Sequence, residues 1–369
     1  FDAIAAAGDS LRLACLMGER PGPAVAALSS RGCSNCMSTP LSTWCDRWFG
    51  FSDDEVQALL GHAGRGEYLD DAREWFEGYR FGGFYCSSPA RVIDFLNRGC
   101  TPPVRADLYG YADSLSRTVG DWNLERLSTL FDLLEPHGCV EAPLCLGAVV
   151  SNDACVDDVW TALYLSGFLT TDMVEEPGSS ACSRARLPNG ELRQALRLAI
   201  IEWFESAAED ARDVDAFRDG LCRGDEDTVR QALRRILGDA GVGAAETDSP
   251  LPYHLLLQGF CFGMPGYANP SSNRKRGADR WDIQVFPTGR MLDVADTLGM
   301  LDERPLVTMN MMYDPDVDVL GLELLAVQAL LDIERDGIDE IRVPRPGIGR
   351  VRWGFGFDGQ HVSVVCQRL

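Results

Sequence analysis

Lysine is almost absent from this chain: Lys275 is the only one among 34 lysines and arginines. Chemistry that needs a lysine to carry a proton therefore has one candidate. Arginine replaces its charge but not its proton transfer, because the guanidinium pKa exceeds about 12. Long apolar runs are also missing. Leu144 to Val150 and Leu322 to Leu331, the latter broken by Glu323 and Gln328, fall far short of the roughly 20 residues of a membrane helix, so no spanning segment and no membrane partner are expected. No Gly-x-x-x-x-Gly-Lys-Ser/Thr loop occurs, and neither binding nor hydrolysis of ATP is expected. The four histidines, His62, His137, His254 and His361, accompany no nucleophile-elbow motif, which excludes a hydrolase triad of that kind. No repeat recurs at a period of 20 to 50 residues.

Thirteen cysteines lack any repeating spacing, and an odd number cannot all be paired internally, which together point to a reducing, intracellular compartment, cytoplasmic or nuclear. Cys33 and Cys36, with Cys45 and His62, have the spacing of an incipient zinc site but no second Cys-x-x-Cys to complete it. The first residue is Phe1 and no basic leader with an apolar core follows, so we expect further sequence upstream. The formal charge of −22 opposes nonspecific contact with polyanions, which depends on basic residues releasing counterions. Positive charge does gather locally, at Arg274, Lys275, Arg276 and Arg280, and again at Arg342, Arg345, Arg350 and Arg352. The first group is the candidate nucleic-acid contact.

What is present divides into three stretches. Residues 1–50, rich in Ala, Ser, Gly and Pro, read as the irregular remnant of a preceding domain. Residues 51–240 read as mainly helical. Ser52 and Glu55 form a capping box before an apolar stripe, a helix covers about Glu67 to Glu77 and stops at Gly78, and Ser88-Pro89 opens a third. Trp75 to Tyr85, aromatic and glycine-rich, reads as a tight turn with buried rings. Between Asp153 and Phe204 the order helix, two short strands, helix suggests a winged-helix-like unit, followed by two more helices and a linker at Gly238 to Ser249. Residues 248–369 read as an α/β domain with a mixed sheet: a helix at Tyr253 to Phe262, strands at Trp281 to Phe286 and Met291 to Ala295, a helix at Val319 to Arg335, and strands at Glu340 to Val343, Arg350 to Phe357 and Val362 to Cys366. The fold class is thus α/β overall.

Within the last stretch, Asp282 and Asp293 would lie on adjacent strands joined by the Pro287-Thr288-Gly289 turn. Metal-assisted cleavage of a phosphodiester needs carboxylates that converge on Mg²⁺ and a nearby cation. A lysine two residues beyond Asp293 would share its strand face, but that position is Ala295.

The ordered set Phe49-Gly-Phe-Ser-Asp-Asp-Glu-Val56, Trp75-Phe-Glu-Gly-Tyr-Arg-Phe-Gly82, Tyr85 to Leu96, Trp160 to Thr170, Arg186-Leu-Pro-Asn-Gly-Glu-Leu-Arg193, Tyr253-His254, Ser272-Asn273-Arg274, Arg280-Trp-Asp282 and the helix carrying Gln328 resembles a known family. Its members have an AAA-ATPase-like region followed by a PD-(D/E)XK nuclease-like tail. The resemblance runs from Phe49 to Gln328. It implies that Asp282 is the first metal-binding aspartate, Asp293 the second acidic position, Gln328 the glutamine of the following helix and Mg²⁺ the cofactor of a working site. It also implies a lysine where Ala295 stands, and an acid before Tyr253-His254, where Pro250 is nearest and Asp248 lies two residues earlier. His254 lies beside that site, though a hydrogen-bonded core histidine is its simpler reading. Three functions follow. One is a catalytically degenerate nuclease-like protein that acts as a nucleic-acid or protein interaction module. The second is an active Mg²⁺-dependent DNA endonuclease using Asp282 and Asp293, and the third an acidic protein-binding scaffold. Ala295 favours the first, with DNA met through the C-terminal domain or proteins through the helical region.

Overall fold

The computed structural model describes residues 46–120, 122–135, 137–144, 159–171, 182–208, 210–240, 249–272, 282–290, 293, 303–339 and 345–369. These divide into two compact units. The first takes Phe1–Trp122 with Thr129–Leu196, and the second Asn123–Ser128 with Arg197–Leu369. The division falls inside a helix, well before the Gly- and Ala-rich stretch that composition suggests as a linker.

The first unit starts with α1 (Asp53–His62), whose capping box forms as expected: Ser52 Oγ accepts from Glu55 N at 3.2 Å and Glu55 Oε2 accepts from Ser52 N at 2.9 Å. Helix α2 (Leu69–Phe76) stops one residue short of expectation. The segment read as a turn is instead a hairpin, β1 (Glu77–Phe81) against β2 (Phe84–Ser87), with Gly82 and Gly83 between the strands. Helix α3 (Pro89–Asn97) carries its proline in the first turn. Val56, Leu60, Ala72, Phe76, Val92 and Phe95 from these helices form a common core, in which the Phe76 and Phe95 rings meet edge to face at 5.4 Å.

Helix α4 (Arg105–Val119) and helix α5 (Leu124–Leu134) precede β3 (Val140–Pro143), α6 (Val159–Leu165), β4 (Thr170–Thr171), β5 (Cys182–Arg186) and α7 (Gly190–Ala207). The expected helix, hairpin, helix order is present as α6, β4, β5 and α7. β3 adds a third strand, and β5 lies in the centre of an antiparallel sheet of order β3-β5-β4.

In the second unit α8 (Ala211–Arg223), α9 (Glu226–Ala240) and α10 (Leu251–Cys261) accompany a five-stranded sheet. Its strands are β6 (Ser271–Ser272), β7 (Ile283–Val285), β8 (Leu306–Tyr313), β9 (Arg350–Phe357) and β10 (Val362–Arg368). The order is β10-β9-β8-β7-β6. β8 and β9 are parallel, joined across α11 (Val319–Asp336), and every other pair is antiparallel. This is the expected mixed sheet, with β8 as its unforeseen central strand. The Phe204 ring from the end of α7 meets that of Phe260 at 5.3 Å, and a Cβ at Gly259 would lie 2.0 Å from Phe204. α9 packs on β10. Helices on both sides of the Gly- and Ala-rich stretch thus share one core, which is why the units do not divide there. α11 lies directly on β9: a Cβ at Gly354 would fall 2.0 Å from the Ala326 carbonyl oxygen and one at Gly356 2.5 Å from that of Leu322. No helix among the described residues is long and apolar enough to cross a membrane.

Candidate functional site

Asp282 precedes β7 and is buried, 2% exposed. The β7–β8 ladder pairs Ile283 with Met309, Gln284 with Thr308 and Val285 with Val307. Extending it by one rung sets Asn310 opposite Asp282. Strand alternation then gives Thr308, Asn310 and Met312 a common face, the one covered by α11. Asn310 Nδ2 donates to the Ala329 carbonyl at 3.1 Å, and Asn310 and Met312 pair with Gly354 and Gly356, the residues against which α11 rests. On the same face Gln284 Nε2 donates to the Ile338 carbonyl at 3.0 Å. Arg352, paired with Thr308, forks onto Asp339, Nε to Oδ2 at 3.0 Å and Nη2 to Oδ1 at 3.1 Å, while Arg350 Nη1 reaches Oδ2 at 3.2 Å. A polar row thus crosses the sheet beneath a helix: Asp282, Gln284, Thr308, Asn310 and the Arg352–Asp339 pair. Both of these arginines, Arg350 and Arg352, lie on that face and are committed to the Asp339 carboxylate.

The strand expected at Met291 to Ala295 does not fill the neighbouring place. β7 is flanked by β6 and β8, and Asp293, the single described residue of that stretch, is helical. Its exposed carboxylate accepts from Arg345 Nη2 at 2.6 Å. Gln328 also departs from expectation: it is exposed, on the face of α11 turned away from buried Ala326 and Ala329, and its Nε2 donates to Asp332 Oδ1 at 2.8 Å. Asp282 is therefore buried while the other two lie at the surface. Ala295, Arg274, Lys275, Arg276, Arg280, Cys33, Cys36 and Cys45 are outside the described residues. Among the described residues no group of three or more His, Cys, Asp or Glu side chains is placed to hold a metal ion.

The opposite sheet face is packed. Tyr253 on α10 stacks on Phe357 at 4.3 Å and on Tyr313 at 5.6 Å, and the indole of Trp353 donates to the Leu221 carbonyl at 3.1 Å. His254, fully buried, has Nε2 at 2.7 Å from Ser272 Oγ. Ser272 pairs with Ile283, so this contact lies on the α10 side of the sheet while Asp282 faces α11. His254 is a core histidine with a hydroxyl partner.

The first unit holds a feature that the sequence reading missed, a cleft of about 800 Å³. Its walls are the end of α2, the β1–β2 hairpin, the turn at His137 to Cys139, β5 and the first turn of α7. Gly78, at φ +116°, permits the hairpin to approach: a Cβ there would lie 2.0 Å from the Pro188 carbonyl oxygen. Asn189 caps α7, its Oδ1 accepting from Leu192 N at 3.1 Å. Behind this cap Glu191 is buried and accepts from Arg91 Nε at 2.6 Å, with Arg91 Nη2 on the same oxygen. Burial holds the Glu191 carboxyl above its ordinary range despite Arg91. Arg193 is held below its ordinary value, first by burial and then by the charge of Arg186. The signal in the sequence was the Arg184-x-Arg186 alternation with Arg193 one helical turn into α7, but nothing local showed that these converge.

Comparison with protein-family models, with curated proteins and with solved structures returns no match for this chain.

Proposed function

We propose that the C-terminal unit is a nuclease-like domain that does not cleave and that serves as an interaction module. The feature that carries this reading is the α11-covered face of β8 just beyond its last rung with β7, Ile283 to Met309, where Asp282 precedes β7. In the resembled family the neighbouring strand supplies an acid and, two residues on, a lysine. With β8 as that strand, those places hold Asn310 and Met312 rather than Asp293 and Ala295. An amide gives Mg²⁺ one neutral oxygen, and that oxygen already accepts from Met311 N at 2.9 Å. Methionine carries no proton. A single carboxylate, Asp282, leaves the metal short of the charge that a phosphodiester-cleaving site concentrates. Arg352 does not substitute, being bound to Asp339. The charge of −22 favours a protein partner over duplex DNA.

The test is incubation of the full chain with supercoiled plasmid and Mg²⁺ or Mn²⁺, beside Asp282→Ala. No nicking above background is expected from either protein. Metal-dependent nicking by the unaltered chain that disappears in Asp282→Ala would sink the proposal and restore the endonuclease reading.

A further inference from the structure

We propose that the solvent face of α11 is a self-complementary seam that pairs the C-terminal unit with a second copy of this chain. The inference rests on the interaction-module reading of that unit and names its partner. α11 carries two apolar rows. Leu322, Ala326, Ala329 and Ile333 are buried on the side of the sheet. Leu320, Leu324, Val327 and Leu331 repeat the same spacing and are 63%, 60%, 40% and 47% exposed. A helix that is apolar all round is ordinarily buried all round. The outer row thus has the composition of an interface.

The spacing identifies the occupant. Steps of four, three and four residues keep the outer row on one line of the helix for about three turns, as the a and d positions of a coiled coil do. That series of steps reads the same in both directions. Turned end for end about a twofold axis between Leu324 and Val327, the row meets itself, with Leu320 beside Leu331 of the other copy and Leu324 beside Val327. This is the condition for a closed, isologous dimer. A parallel pairing would instead set Glu334, at the next d position, against its twin.

Area and charge set the strength of the pairing. With Val319, 79% exposed, the row amounts to about three fully exposed side chains, on the order of 400 Å², the size of the largest apolar patch on a typical monomer. Burying it on two copies, together with the polar rim, brings the total to roughly 1,000 Å², the lower limit of a specific interface. A reversible dimer follows rather than an obligate one. The charged residues of α11 are Glu323, Asp332, Glu334 and Asp336 against Arg335, whereas helices that lie on membranes carry lysine and arginine on their polar face. Two chains of charge −22 repel each other, and salt screens that repulsion while leaving the apolar contact in place.

The test is sedimentation equilibrium of the full chain from about 1 to 200 μM, in about 0.05 M and about 0.5 M sodium chloride. A monomer–dimer equilibrium with a Kd below about 100 μM is expected at the higher salt, and a several-fold weaker one at the lower. Leu324→Glu and Leu320→Gln should each weaken the dimer about tenfold or more with unchanged thermal melting, because both side chains are exposed. Ile93→Glu, an exposed apolar position on α3, should leave it unchanged. If Leu324→Glu melts early, Leu320→Gln carries the test. A monomer at both salts up to about 200 μM, or a dimer that Leu324→Glu and Leu320→Gln leave intact, would overturn the proposal. So would flotation of the chain with phosphatidylcholine–phosphatidylserine vesicles, in place of a dimer, that Leu324→Glu abolishes. The plasmid assay reads cleavage and not association, so a monomer overturns the pairing alone, whereas nicking overturns the reading on which it rests.

Discussion

Replacing Arg91 with methionine would leave the Glu191 carboxylate, whose side chain is 1% exposed, without its cationic partner. The loss follows from geometry. Arg91 directs both Nε and Nη2 at Glu191 Oε1, and Oε2 is buried with no hydrogen bond among the described residues. Removing one member of a buried pair strands the other, at a cost of about 3–5 kcal/mol, whereas replacing both with apolar residues is often close to neutral. Arg91→Met should therefore lower the free energy of unfolding by about that amount, and Arg91→Met with Glu191→Leu should recover most of it. The sign of the pH effect is fixed by burial. The folded-state pKa of Glu191 is already raised above 4.5 and rises further without Arg91. Stability linked to this carboxyl is present below its unfolded pKa and is lost as pH rises through the folded value. The deficit of Arg91→Met should hence be larger at about pH 7.5 than at about pH 5. Urea unfolding followed by circular dichroism at the two pH values measures both effects. A deficit under about 1 kcal/mol, or one that is equal at both pH values, would refute the reasoning.

Gly354→Ala should destabilise the second unit by about 1–3 kcal/mol, because the added methyl meets the α11 backbone rather than a side chain that can turn aside. Urea unfolding against the parent chain checks it. Cys261 is buried, which pushes its thiol up to about 12, so it should resist iodoacetamide at pH 8 in the native protein and react only after unfolding. Peptide mapping after brief labelling, with half-buried Cys139 as the internal comparison, gives the readout.

The elements that announced themselves in the sequence did so through local chemistry. Ser52 with Glu55, Pro89 and the apolar period of α11 each act within a turn or two of the chain, and each appears where it was read. β8 was missed because Leu306-Val-Thr-Met-Asn-Met311 is buried on both faces, so it lacks the alternation that marks a half-exposed strand. That omission displaced the candidate site. Without β8, the next carboxylate after Asp282 is Asp293, and Asn310 and Met312 attract no notice. The hairpin at β1 and β2 escaped for a related reason: its glycines signal a turn equally well between helices or strands. The cleft was illegible in principle, since Arg73 comes from α2 and the other three arginines from β5 and α7, far along the chain, with β5 itself placed by the β3-β5-β4 pairing.

That pairing also has a consequence in time. β5 joins Ala185 to Val140 on one side and to Thr171 on the other. The wall that presents Arg184 and Arg186 can form only after strands distant in the sequence have met, and such contacts are slow to form because loop closure precedes the gain from pairing. Helices α1, α2 and α3, whose contacts are local, can associate earlier. The cleft is thus among the last parts of the first unit to be assembled, and a nascent chain would display its helices before the cleft existed.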